Sequence, residues 1–96
     1  MISSFGDKRT GDLFHGRNTA TVRRIALDIR STVVRKLDLV QGAEKLIDLR
    51  SPPGNRLEAL SGDLSGFYSI RVNNQWRIIF RWESDKAHEV KLIDYH

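Results

Sequence analysis

Cysteine is absent from this chain, which excludes a disulfide framework and any thiolate metal site. Histidine is scarce. His15, His88 and His96 show no ligand spacing, so no structural zinc and no cofactor are expected. No apolar run approaches the ~20 residues that cross a bilayer. The opening Met1-Ile-Ser-Ser-Phe-Gly-Asp-Lys8 lacks the basic-then-apolar layout of a signal peptide. No membrane partner is expected, and the cytoplasm is the expected location. Also missing are a glycine-rich phosphate loop, a nucleophile elbow and a carboxylate pair at glycosidase-like positions. Repeats and low-complexity tracts are absent. Proline occurs twice, both times in Ser51-Pro-Pro-Gly-Asn55, the clearest breaker in the chain.

What is present fits a soluble globular chain: 96 residues, 40% hydrophobic, with a mean hydropathy of −0.42. That length supports one core, so residues 1–96 are expected to form a single domain. Net charge is +4, unevenly spread. Up to Arg56, eleven Lys/Arg face six Asp/Glu; from Leu57 onward, five face six. Such a basic first half suits either a solvated helical surface or a polyanionic partner, and charge alone does not separate them.

Ile2-Ser-Ser-Phe5 reads as a short first strand. Asp7 is a good N-cap for a helix running to about His15. From Thr21 to Val40 the apolar residues Val22, Ile25, Ile29, Val33, Leu37 and Val40 recur at helical spacing, predicting one long helix with this stripe on the sheet. Its other side shows Arg23, Arg24, Arg30, Arg35 and Lys36. Ala43 to Leu49 adds a helical turn or two, with Leu46, Ile47 and Leu49 inward. After the proline breaker, Leu57–Leu60 is a brief strand. Helices first and an antiparallel meander after predict an α+β, two-layer domain, with helices on one face of a small curved, mainly antiparallel sheet.

The chain is organised around residues 67–96, which alternate as half-buried strands do. Tyr68, Ile70, Val72, Trp76, Ile78, Phe80 and Trp82 form the inward set. Ser69, Arg71, Arg77 and Arg81 form the outward set on an open face. Taking Asn73-Asn74-Gln75 as a three-residue loop pairs Tyr68 with Phe80, Ile70 with Ile78 and Arg71 with Arg77. A one-residue slip would put charge opposite core, so burial selects this register. The asparagines suit the left-handed conformation that such loops use. Two arginines then stand directly opposite one another, an arrangement that is destabilising unless an anion joins them. After a turn at Ser84-Asp85, the last strand runs from His88 to Ile93. Regular alternation turns Tyr95 away from the core, toward Arg71 and Arg77.

Arginine, tyrosine and histidine on an exposed sheet make a workable metal-free ribonuclease site. Guanidinium groups stabilise a pentacoordinate phosphate. Histidine near neutral pKa gives a proton to the leaving oxygen or takes one from the 2′-hydroxyl. Tyrosine stacks on a base or joins the proton transfer. The plainer account is equally concrete: Asp94-Tyr95-His96 as a tail, Tyr95 lying on the sheet edge, Arg81 solubilising an outer face, and His15 and His88 as surface residues.

Further residues decide between these accounts. The tract Pro52 to Asp63, then Ser69-Ile-Arg-Val-Asn-Asn-Gln-Trp-Arg-Ile78, Phe80 and the final Asp94-Tyr-His96, resembles the HigB-type toxins of the RelE/ParE superfamily across essentially the whole chain. The resemblance implies a RelE-like fold and a ribosome-dependent mRNA endonuclease that cuts in the A site. It also implies neutralisation by a helix-turn-helix antitoxin of HigA type, through which the pair meets operator DNA. By the same resemblance, Arg77 is the arginine that holds the scissile phosphate, and Asp94, Tyr95 and His96 are the catalytic triplet. Asn73 stands where some members carry a second basic residue, and the register lets Arg71 substitute for it. Ser61 stands where some carry lysine. Arg23, Arg24, Arg30, Arg35 and Arg81 are then expected to meet RNA or ribosome. The alternatives are a ParE-like gyrase inhibitor and a non-catalytic nucleic-acid-binding module.

Overall fold

A computed structural model describes residues 1–95. The helices are α1 (Lys8–Phe14), α2 (Ala20–Arg23) and α3 (Leu27–Gly42), and the strands are β1 (Glu58–Ala59), β2 (Tyr68–Arg71), β3 (Trp76–Glu83) and β4 (Lys86–Asp94). The four strands form one antiparallel sheet in the order β1-β2-β3-β4. Helices α1 and α3 lie on one face of it. Their Leu13, Val33, Leu37 and Val40 merge with Ile70, Ile78, Phe80, Val90 and Leu92 in a single buried cluster. This is the α+β two-layer arrangement expected.

Asp7 caps α1 as expected, its Oδ1 accepting from Thr10 N at 2.8 Å. The long helix is in fact two. The helix is interrupted over residues 24–26: Arg24 keeps a helical backbone at φ −73°, ψ −14°, but Ala26 is extended at φ −57°, ψ 143°. Arg30 Nε donates to the freed Ile25 carbonyl at 2.8 Å, replacing the interrupted helical bond. Val22 and Ile25 still reach the core; a three-and-four spacing fits one helix or two sharing a face. Leu27 pays no part in that face and is 71% exposed. After α3, Leu46–Arg50 is a 3₁₀ turn. Leu49 is buried there, but Ile47 is 61% exposed, contrary to expectation, because a three-residue period turns it outward.

The β2–β3 register is the one that burial selects: Tyr68 opposite Phe80, Ile70 opposite Ile78, Arg71 opposite Arg77. The loop closes differently from the expectation. Positive φ at non-glycine residues is confined, among the described residues, to Arg56, Ser84, Asp85 and Glu89, so neither asparagine is left-handed. Instead Asn73 Oδ1 accepts from Gln75 N at 2.8 Å and Trp76 N at 2.7 Å, and the side chain does the turning.

The opening segment makes two isolated parallel bridges, Ile2 with Ala87 and Phe5 with Val90, rather than a regular strand. It follows the outer edge of β4 with Ser3 N donating to Ala87 O and Gly6 N to Val90 O. Gly6 is required by this approach: a Cβ there would stand 2.9 Å from the Glu89 carbonyl oxygen.

Candidate functional site

Arg77 lies near the middle of the sheet, on the side away from α3, with its side chain only 11% exposed. Nη1 donates to Ser69 Oγ at 2.6 Å and Nη2 to Glu58 Oε1 at 2.8 Å. The planar guanidinium fork allows two acceptors to be held at once. Strand pairing supplies both. Ser69 is on β2, beside the Arg71 that opposes Arg77, and Glu58 on β1 pairs with Ser69. The outer face is therefore less open than alternation predicts: Ser69 is 0% exposed and Ile79 3%. A long side chain folded along the sheet covers the small one beneath it.

Tyr95 completes the arrangement. Its ring centroid is 5.3 Å from the Arg77 guanidinium carbon, a cation–π contact. Tyr95 N donates to Gln75 O at 2.7 Å, and Gln75 Nε2 donates to Asp94 Oδ2 at 3.0 Å, so the hairpin loop grips the chain end. The phase of β4 explains the placement. Arg81 pairs with His88 but Ile79 with Lys91, so Glu89 and Val90 together face Phe80 in a bulge. Glu89 takes the strain at φ 53°. Ala87 and Val90, an odd number apart, are both fully buried for this reason. Beyond the bulge alternation is regular, with Arg77 opposite Ile93, and Tyr95 comes to the Arg77 side as expected. His96 lies outside the described residues. Beside Tyr95 opens a cavity of about 290 Å³ lined by Glu58, Ala59, Ser61, Asp63 and Leu64.

Arg71 turns away from its cross-strand partner and donates to Asn74 Oδ1. On the helical side, Lys36 departs from its expected solvent position. Its ammonium donates to Asn55 Oδ1 at 2.6 Å; Asn55 is itself fully buried, with Nδ2 donating to the Leu49 and Ser51 carbonyls. Burial holds the Lys36 ammonium below the usual lysine range, and repulsion from Arg35 and Arg71 adds to it. Arg71 thus sits in a positive field.

The other arginines named from sequence are not gathered at Arg77. Arg23 donates to Asn18 O at 2.7 Å at the end of α2, Arg30 caps Ile25, and Arg24 and Arg35 are exposed on the helical layer. Arg81 shares the outer face of β3 with Arg77; it packs 4.3 Å over Phe67 and donates to Glu89 Oε2 at 2.9 Å. His15 and His88 lie away from the site, His15 against Phe5 and Phe14, and His88 against the Glu83 carbonyl. Glu58 is the residue that sequence reasoning missed. Extending the cross-strand register by one more strand, from Ser69 to β1, would have found it.

Comparison with known proteins bears on the family and the fold. The family model of RelE-like toxins of the type II toxin–antitoxin system HigB matches residues 3–96. Toxin HigB-1 of Vibrio cholerae is 50% identical over 60 residues, spanning 62% of this chain and 63% of that protein. Endoribonuclease HigB of Proteus vulgaris is 30% identical over 96 residues and the full length of both chains. A solved YoeB–YefM complex from Staphylococcus aureus shares the fold, with a TM-score of 0.62 at 12% identity over 100% of this chain and 98% of that one. No helix among the described residues is long and apolar enough to cross a membrane. The chain belongs to the HigB-like family of RelE-like toxins of type II toxin–antitoxin systems.

Proposed function

We propose that this chain is a ribosome-dependent mRNA endonuclease that cuts translated messages in the A site and so stops growth. The observation that carries the reading is the convergence of Arg77 and Tyr95 on one face, beside the segment that ends in Asp94, Tyr95 and His96. The name of the Proteus relative, an endoribonuclease, supports it. In this reading residues 1–96 act as a single toxin domain working in the cytoplasm, without a metal or other cofactor.

The reaction is attack of an RNA 2′-hydroxyl on the adjacent phosphorus. An O2′–P bond forms, the P–O5′ bond breaks, and the products are a 2′,3′-cyclic phosphate and a free 5′-hydroxyl. Arg77 stabilises the charge that builds on the non-bridging oxygens. Tyr95 stacks on a splayed base and keeps the guanidinium in place. His96 gives the proton to the departing 5′-oxygen or receives the one leaving the 2′-hydroxyl, while Asp94, held by Gln75, anchors the strand that carries Tyr95. Arg71, in its positive field, holds a neighbouring phosphate; Arg81 and the helical arginines Arg23, Arg24, Arg30 and Arg35 meet RNA or ribosome. A HigA-type helix-turn-helix antitoxin neutralises the toxin and carries it to operator DNA.

Induction of the chain followed by primer extension on a translated message tests this. Breaks in codon register that disappear in Arg77→Ala and His96→Ala support it. Undiminished toxicity in both variants, or toxicity without breaks, overturns it; the latter is the behaviour of a gyrase inhibitor.

A further inference from the structure

We propose that Glu58 is an internal counter-ion occupying the position at Arg77 that an RNA phosphodiester takes in use. The inference rests on the reading of Arg77 as the phosphate-holding residue and adds a partner that nothing in that reading contains.

Three observations carry it. Glu58 Oε1 is 2.8 Å from Arg77 Nη2, with the arginine side chain 11% and the glutamate 51% exposed. The other donating arm, Nη1, is held by Ser69 Oγ, a fully buried group that stays where it is. The exchangeable acceptor is therefore the carboxylate. Carboxylate and phosphate oxygens satisfy the same guanidinium fork, so one anion substitutes for the other without moving the arginine.

The third observation is the element that carries Glu58. Strand β1 is two residues long, both exposed, and is paired on one side only. Arg56 before it is left-handed at φ 46°. A short, solvent-exposed edge is the part of a sheet that yields most readily, whereas Arg77 sits between two strands. With Glu58 in place the arginine pair Arg71 and Arg77 is partly neutralised, which settles the like-charge opposition in the free chain. With an RNA phosphate in place, Glu58 and the phosphate repel, and the carboxylate swings toward the solvent-open cavity by Tyr95. The device makes free RNA a weak ligand, because every phosphate must first displace an anion already bound. Glu58 acts here on Arg77 and is a positioning residue.

The test is binding of the full chain to a short all-2′-deoxy oligonucleotide, which lacks the attacking hydroxyl. Four forms are compared: the native chain, Glu58→Gln, Arg77→Gln and the double variant. A half-exposed ion pair contributes modestly, so Glu58→Gln should tighten binding about three- to tenfold at low salt. The gain should vanish when Arg77 is already Gln. Unchanged or weaker binding by Glu58→Gln overturns the proposal, and so does an equal gain in the Arg77→Gln background, which would reflect net charge alone. As a second measurement, the Arg77 Nε–H resonance of Glu58→Ala, read without RNA, should move and should respond to inorganic phosphate at lower concentration than in the native chain. An unmoved resonance overturns the proposal too. Both readouts are independent of cleavage, so a native chain that binds as described but produces no codon-register breaks defeats the nuclease reading alone.

Discussion

Arg71 and Arg77 are directly opposite one another on β2 and β3, yet their guanidinium groups are held by different oxygens, Arg71 by Asn74 Oδ1 and Arg77 by Ser69 Oγ and Glu58 Oε1. The two cations share a backbone register without sharing a partner. They should therefore fail separately when removed, and the consequences differ in size.

Arg77→Ala should lower cleavage of ribosome-bound message by about 10²–10³-fold, the usual cost of losing a charge-stabilising donor. Arg77→Lys should rescue little, because an ammonium cannot bridge Ser69 and a phosphate as a planar fork does. Arg71→Ala should cost less. Primer extension gives the rates, and thermal melting shows that the variants are folded.

Tyr95 presents a ring to Arg77 at 5.3 Å, so Tyr95→Phe should hold an uncleavable RNA about as well as the native chain. Tyr95→Ala should weaken it by about 1–3 kcal/mol, the worth of one base stacked on an aromatic ring. Fluorescence anisotropy reads both. Equal weakening in the two variants would move the effect from the ring to the hydroxyl.

Asp12 links the fold to pH. It is 1% exposed and accepts from Lys8 Nζ at 2.6 Å, Arg17 Nη1 at 3.3 Å and Thr19 Oγ1 at 3.2 Å. The Lys8 bond holds its carboxyl below the ordinary value of 3.8, against an opposing push from burial; Arg17 and Thr19 lower it further. A carboxyl depressed in the folded state stabilises the fold above its unfolded value and loses that contribution as pH falls through the folded one. The melting temperature should thus fall with acid below about pH 4. In Asp12→Asn that part of the slope should be missing, which a melting series across acid pH will show.

Phe80 is completely buried between Tyr68 and Trp82, its ring 6.3 Å from each. Phe80→Ala should cost about 3–5 kcal/mol, a large share of the ~5–15 kcal/mol that holds a typical domain together. Urea denaturation measures it.

The parts legible in the sequence are those fixed by a period and a burial requirement together. The Arg71–Arg77 register followed from excluding the slip that opposes charge to core, and the arrival of Tyr95 at Arg77 followed from alternation after Val90. What was hidden depends on local bonding that no period reports. The break at residues 24–26 leaves the apolar spacing intact, so Val22 to Val40 looked like one helix. Asn73 turns its loop with a side-chain oxygen rather than a left-handed backbone. Lys36 stands one step from the buried Leu37 and reaches in to Asn55. Glu58 required a register two strands removed from Arg77, on a strand of two residues.

The bridges from Ile2 and Phe5 to Ala87 and Val90 have a consequence for folding. Ser3 N and Gly6 N reach the Ala87 and Val90 carbonyls only when segments far apart along the chain meet. Contacts so distant along the chain slow folding. Tyr95 lies just beyond β4, so its contact with Arg77 is carried by a strand that has backbone partners on both sides. The Arg77 face therefore rests on pairings that join widely separated parts of the chain.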